Sequence, residues 1–306
     1  GATNISVVDP AETPRRPSRP RPLVNMLLAL VAGLGLGVLA AWALEQIEQS
    51  ISDPIEVEQD LRVPLLGAIP KLIGEEPITA LRDRKSMTSE AYVSLLTRLS
   101  FSTDHGVPRV LAVTSSQPAE GKTTTSFALA SAIARTQRSV ILVDADMRSP
   151  SLHHLTTLEN DIGLSNYLAG DDSVLEHIRQ LDQSGLFMLV AGPRPPSSPE
   201  LLASERFDRL IAELSQRFDH VIFDAPPVMG LADAPTIASR VSANVFIIEA
   251  HRTSKKSAET AIERLKASRG NIVGAVLTKF DNKRSHYGYG YGYGYGYGHS
   301  YGTKDG

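Results

Sequence analysis

Val110-Leu-Ala-Val-Thr-Ser-Ser-Gln-Pro-Ala-Glu-Gly-Lys-Thr-Thr124 is the stretch on which the fold turns. Its first five residues are an apolar run of strand length, and a helical pattern follows it. Between them, Gly121-Lys122-Thr123 matches the end of the phosphate-loop pattern, with Ser116 in the place of that pattern's first glycine. Small residues let backbone N–H groups turn inward toward phosphate oxygens, and a helix N-terminus adds partial positive charge. The candidate phosphate-binding set is Ser116, Ala119, Glu120, Gly121, Lys122, Thr123 and Thr124. In this pattern Lys122 bridges the β- and γ-phosphates and the Thr123 hydroxyl coordinates Mg²⁺. Gly-Lys-Thr alone would also suit an ordinary strand-to-helix turn. The strand–loop–helix setting and the acids further along decide for nucleotide.

Outward from this stretch the chain alternates. Strand-length apolar runs occur at 109–114, 139–143, 186–191, 219–223, 244–250 and 271–277, and helix-like segments at 122–136, 172–181, 199–216, 232–240 and 254–268. The alternation predicts an α/β fold, a P-loop NTPase-like doubly wound sheet, mostly parallel and covered by helices on both faces. Two strands end in acids. Ser139–Val143 runs into Asp144, Asp146 and Arg148, and Phe218–Phe223 into Asp224. Carboxylates at strand C-termini face the ligand crevice of such a sheet. Asp144 and Asp146 could hold Mg²⁺, partly through water, or take a proton from an attacking hydroxyl, and Asp224 suits the Walker B role. Lys122, Asp144, Asp146 and Asp224 are the candidate catalytic residues, and Thr123, Asp144, Asp146 and Asp224 the candidate Mg²⁺ ligands. Arg148 could reach phosphates or pair with an acid, while His153 and His154 read as a polar face.

The flanks differ in character. Residues 1–22 are polar and rich in proline and arginine, which suits an extended linker. Residues 23–44 are almost wholly apolar, with Asn25 the strongly polar exception. At ~1.5 Å per residue they span roughly 33 Å, about a bilayer's hydrocarbon thickness, and Trp42 sits near one end where an aromatic anchor belongs. Gly33 and Gly37 make a weak helix-approach signal. Residues 45–107 are a connector, with helical spacing at 88–102 and a continuation of the membrane helix expected over Glu45–Ile51. After residue 282 comes a low-complexity tail over 283–306 with tyrosines at 287, 289, 291, 293, 295, 297 and 301. Glycines between them leave each hydroxyl free to enter an active site.

Composition sets outer limits. The 306 residues carry a net charge of −3, so no basic excess favours nucleic acid, and the absence of cysteine removes thiol chemistry. A chain that opens on Gly1 reads as part of a longer protein.

Taken in order, the phosphate loop at 115–124, the acidic motif at 139–148, the Walker B strand at 220–227, Gly192–Leu202, Ile55–Pro70 and the tyrosine cluster resemble the bacterial tyrosine kinases (BY-kinases) of capsule and exopolysaccharide export. The resemblance covers nearly the whole chain. It implies an ATP- and Mg²⁺-dependent autokinase whose acceptors are Tyr287, Tyr289, Tyr291, Tyr293, Tyr295, Tyr297 and Tyr301. It implies that residues 1–22 end a periplasmic co-polymerase domain, that 23–44 is the second of two spans in the bacterial inner membrane, and that a kinase domain over 108–282 is cytoplasmic. Implied partners are further copies in a ring or dimer that phosphorylate one another, the polysaccharide export machinery, a phosphotyrosine phosphatase and the membrane, but no nucleic acid. Three departures from the pattern matter. Ser116 and Ala119 stand where glycine is common, Val93 and Leu96 replace the arginines that follow Glu90 in the oligomerisation helix, and Thr278-Lys279 stands for Asn-Arg near the adenine. Positive charge at Arg15, Arg16, Arg19 and Arg21 would by itself place the N-terminus inside, but the need for ATP places 45–306 there. Two rivals share the ATP site: an ATPase switch like the division-site and plasmid-partition ATPases, and a membrane scaffold that binds ATP only to hold its shape.

Overall fold

The computed structural model describes residues 20–48, 50–72, 74, 77–181 and 185–281. Most of the 1–22 linker and the tyrosine tail lie outside them. Contacts divide the chain into a unit up to residue 49 and a unit from Ser50 onward. The first contains helix α1 (Pro22–Glu48). Proline at its first position suits a helix start, where an N–H would be unpaired anyway. Its apolar side chains, from Leu23 to Leu44, are exposed along the helix. It is long and apolar enough to cross a membrane. The helix stops at Glu48, short of the expected Ile51, and Ser50 instead forms an antiparallel bridge with Ser254.

The second unit begins with α2 (Pro54–Leu61), whose entry is fixed by a reciprocal cap. Asp53 accepts from Ile55 N at 3.0 Å, and Glu56 accepts from Asp53 N at 3.2 Å. There follow β1 (Leu65–Pro70), α3 (Pro77–Arg82), α4 (Met87–Phe101), β2 (Val110–Ser115), α5 (Lys122–Ala134) and β3 (Val140–Asp144). Next come α6 (Leu152–Thr156), α7 (Leu164–Ala169), a 3₁₀ turn (Asp172–His177), β4 (Arg179–Gln180), β5 (Leu186–Leu189), α8 (Ser198–Ala203) and α9 (Glu205–Arg217). The chain closes with β6 (His220–Asp224), α10 (Asp233–Ala238), β7 (Ala243–Glu249), α11 (Lys255–Ala267) and β8 (Ile272–Phe280).

The eight strands form one sheet in the order β1-β8-β7-β2-β6-β3-β5-β4. Every pairing is parallel except β4 with β5. The central strands are buried along their length, as a parallel sheet covered on both faces requires. Leu95 and Leu99 of α4 and Leu129 and Ile133 of α5 pack in one apolar cluster. Phe207, Leu210 and Leu214 of α9 lie three and four residues apart and join Tyr167 and Phe223 in another. A third gathers Val57, Leu61, Ile262 and Leu265 with β1, β7 and β8.

The doubly wound, mostly parallel α/β expectation holds. Besides the helix end at Glu48, two local expectations do not, and one strand was not foreseen. Residues 172–181 form a 3₁₀ turn and an edge strand instead of one helix, because Asp171 caps a tight turn by accepting from Ser173 N at 3.0 Å. The helix expected at 199–216 is two helices, broken where Ser204 takes extended dihedrals (φ −73°, ψ 157°). The connector contributes β1, whose Gly67, Pro64 and Pro70 hide the strand pattern. As an edge strand it tolerates proline.

Candidate active site

Parallel pairing carries the ends of β2, β3 and β6 to one rim of the sheet. Asp144 and Asp224 are register partners across β3 and β6, and Val113 is the partner of Asp224 on β2. The loop after β2 leads into α5 at Gly121, whose φ of 94° favours glycine. Ala119 also has positive φ, at 65°. Its carbonyl accepts from Lys279 Nζ at 3.1 Å, so contacts from β8 hold a conformation that alanine disfavours. The first N–H groups of α5 have no partners within the helix, which leaves them for a ligand.

Lys122 lies at the centre and is buried. Its Nζ is 2.8 Å from Asp146 Oδ2, 3.9 Å from Asp224 Oδ2 and 3.4 Å from Thr123 Oγ1. Burial works against its ammonium, but the charges of Asp224, Asp146 and Asp144 outweigh it and hold the pKa above the ordinary value. Asp144 is pushed up to about 7, first by burial and then by the Asp224 charge, against the N–H groups of Leu152 and Ser151 and the charge of Lys122. Those N–H groups reach Asp144 Oδ2 at 3.1 Å each, and Asp146 N donates to Oδ1 at 3.2 Å. Burial raises Asp224 as well, opposed by Lys122. Its Oδ1 accepts from Ser126 Oγ at 3.0 Å, while Oδ2 is buried without a hydrogen bond.

The structure thus brings together Lys122, Thr123, Asp144, Asp146 and Asp224, with Ser116, Ala119, Glu120, Gly121 and Thr124 in the same loop and helix start. The tyrosines at 287–301 lie outside the described residues. Arg148, left open between phosphate and an acid, makes a two-pronged pair with buried Asp233 at 2.9 and 3.1 Å. Ser126 and Ser151 escaped the sequence reading. Ser151 Oγ lies 3.0 Å from Thr123 Oγ1, and only strand order could have revealed it. Among the described residues, no group of three His, Asp or Glu side chains could hold a metal ion by itself.

Comparison with known proteins agrees with this geometry. Residues 108–268 match the family described as AAA domain. The tyrosine-protein kinase YwqD of Bacillus subtilis is 34% identical over 229 residues, covering 74% of this chain and 92% of the relative. The tyrosine-protein kinase ptk of Acinetobacter johnsonii is 30% identical over 298 residues, covering 94% of this chain, and the chain spans 40% of that relative's length. The kinase domain of the Escherichia coli tyrosine kinase ETK superposes with a TM-score of 0.71 at 28% identity, covering 80% of this chain and all of that domain. A phosphate loop and two acidic strand ends on one rim, set in a sheet and sequence shared with these kinases, show that the chain belongs to the bacterial tyrosine kinase (BY-kinase) family.

Proposed function

We propose that the chain is an ATP-dependent protein-tyrosine kinase that phosphorylates its own C-terminal tyrosine cluster. The observation that carries this is one buried ammonium, Lys122, held among Asp146, Asp224 and Asp144 beside a phosphate loop. The residues fit Mg-ATP. Asp224 Oδ2 is a buried oxygen without a hydrogen bond, 3.9 Å from the Lys122 ammonium, and Thr123 Oγ1 lies 3.4 Å from the same ammonium. With too few acids grouped to hold a cation alone, Thr123, Asp144, Asp146 and Asp224 would hold Mg²⁺ together with nucleotide oxygens. The bound metal would neutralise charge developing on the transferred phosphoryl group. The N–H groups of 119–124 and Lys122 orient the phosphates. Asp144 or Asp146 accepts the phenolic proton as the tyrosine oxygen bonds to phosphorus and ADP departs.

Burial narrows the choice of acceptor. Of nine tyrosines, Tyr92 and Tyr167 are 3% and 4% exposed, and the other seven belong to the tail. Burial pushes the Tyr92 phenol up to about 12, against its hydrogen bond with Thr125 at 3.1 Å. The same reading places α1 in the inner membrane with the kinase unit in the cytoplasm. It assigns the chain to control of exopolysaccharide or capsule polymerisation and export, in a homo-oligomer with trans-phosphorylation, opposed by a phosphatase.

The test is intact and tryptic mass spectrometry after incubation with Mg-ATP, beside Lys122→Met. Stepwise phosphate additions on Tyr287–Tyr301 are expected, with none on Tyr92 or Tyr167 and none in the variant. ATP consumption without phosphotyrosine would favour the ATPase switch.

A further inference from the structure

Glu120 is a puzzle within the phosphate loop. It is a carboxylate, 1% exposed, in a segment that has to wrap an anion. Three neutral groups hold it: Ser116 Oγ at 2.8 and 3.1 Å from its two oxygens, Gln117 N at 2.9 Å, and Thr253 Oγ1 at 2.6 Å. The first two lie four and three residues back in the same loop. Glu120 therefore folds over its own loop as a capping side chain does, tying up the early donors. The N–H groups at the start of α5, which have no partners within the helix, are left for an anion.

Thr253 comes from elsewhere, the turn between β7 and α11. Its direction of donation is determined. Glu249 N can only donate and reaches Thr253 Oγ1 at 2.9 Å, so the hydroxyl proton goes to Glu120. The Thr253 backbone is pinned in turn. Its carbonyl accepts from Ile51 N at 2.9 Å, and its own N–H donates to Glu249 O at 3.0 Å. Next to it, Thr278 Oγ1 donates to Glu120 O at 2.7 Å. The shape of the loop is thus set from β7 and β8 as well as from its own sequence.

We propose that Thr253 is a positioning residue for nucleotide, acting through the Glu120 carboxylate to keep the phosphate loop in its receiving shape. Thr253 touches no reacting atom. It orders the groups that do, so its loss falls on nucleotide affinity and leaves the chemical step alone. The inference rests on the kinase reading above.

The experiment compares wild type, Thr253→Val, Thr253→Ser, Glu120→Gln and the Val/Gln double variant as full chains. Equilibrium binding of methylanthraniloyl-ATP with Mg²⁺ is measured beside the KM and kcat of autophosphorylation. Thr253→Val is expected to weaken binding and raise KM for ATP roughly ten-fold, the size of one hydrogen bond to a buried charge, with kcat nearly unchanged. Thr253→Ser, which keeps the hydroxyl, is expected to bind as wild type does. The double variant is expected to lose less than the two single losses combined, since both remove one link. Wild-type affinity in Thr253→Val, a fall in kcat at constant KM, or strictly additive losses would each overturn the proposal. If Thr253→Val does not fold, an unchanged affinity in Glu120→Gln would overturn it equally. Failure of wild type to bind the analogue would overturn the kinase reading itself.

Discussion

Asp144 and Asp224 stand opposite each other on neighbouring strands, both buried, with one ammonium nearby. Such a pair stores electrostatic strain. The folded Asp144 pKa is raised from 3.8 to about 7, so the folded state holds this proton more tightly than the unfolded chain does. Its stabilising contribution is complete below about pH 4 and is lost as pH rises through about 7. The loss is up to about 4 kcal/mol, at roughly 1.4 kcal/mol per unit. Thermal unfolding followed from pH 4 to 8 should show a fall in stability that Asp144→Asn flattens. An equal fall in the variant would rule Asp144 out as its source. Arg148 is a different case. Asp233 is 1% exposed and relies on the guanidinium fork, whose side chain is 34% exposed. Arg148→Ala should cost about 2 kcal/mol in chemical denaturation, and Arg148→Lys should recover only part, because an ammonium cannot make both bonds.

Among the elements, α7 depends most visibly on a single residue. Its start lies against the end of β5, where Leu164 N and Ser165 N donate to Val190 O and Ala191 O at 2.9 and 2.8 Å. That approach leaves no room at Gly163: a Cβ there would sit 2.2 Å from Val190 O and 2.4 Å from Gly192 N. Both are backbone atoms that cannot rotate away. Gly163→Ala should therefore destabilise by about 3 kcal/mol, measured by urea unfolding. Gly106 is a useful contrast, with φ +84° and nothing within 4 Å of a Cβ. Gly106→Ala should cost only about 1 kcal/mol, the price of the backbone conformation alone. Similar losses at the two sites would show that α7 can slide away from β5.

Over the whole molecule, charge is the lever. Seven tail tyrosines, at about −1.5 to −2 per phosphate, would add roughly −10 to −14 to a chain whose net charge is −3. Repulsion of that size between neighbouring tails would open an assembly of copies, so kinase activity would limit its own oligomer. Light scattering with Mg-ATP should show wild type shifting to smaller species, while a variant with all seven tail tyrosines changed to phenylalanine stays assembled. Identical distributions would remove the charge switch and leave the kinase reading standing.

Much of this protein was legible in its sequence because the signals are local. The six long apolar runs read as strands, and β2, β3, β5, β6, β7 and β8 lie within a few residues of them. Gly121-Lys122-Thr123 reads the same wherever it is placed, since a phosphate loop needs its glycine, lysine and hydroxyl in one turn. What the tertiary structure alone decided is adjacency. Periodicity does not state strand order, so nothing local says that β6 lies between β2 and β3, or that β1 pairs with β8. The opposed Asp144 and Asp224 follow from that order. So do the pairing of Arg148 with Asp233, 85 residues on, and the reach of Thr253 to Glu120 across 133 residues. These contacts join segments far apart in the chain, and they form only once burial of the apolar faces has chosen which strands lie side by side.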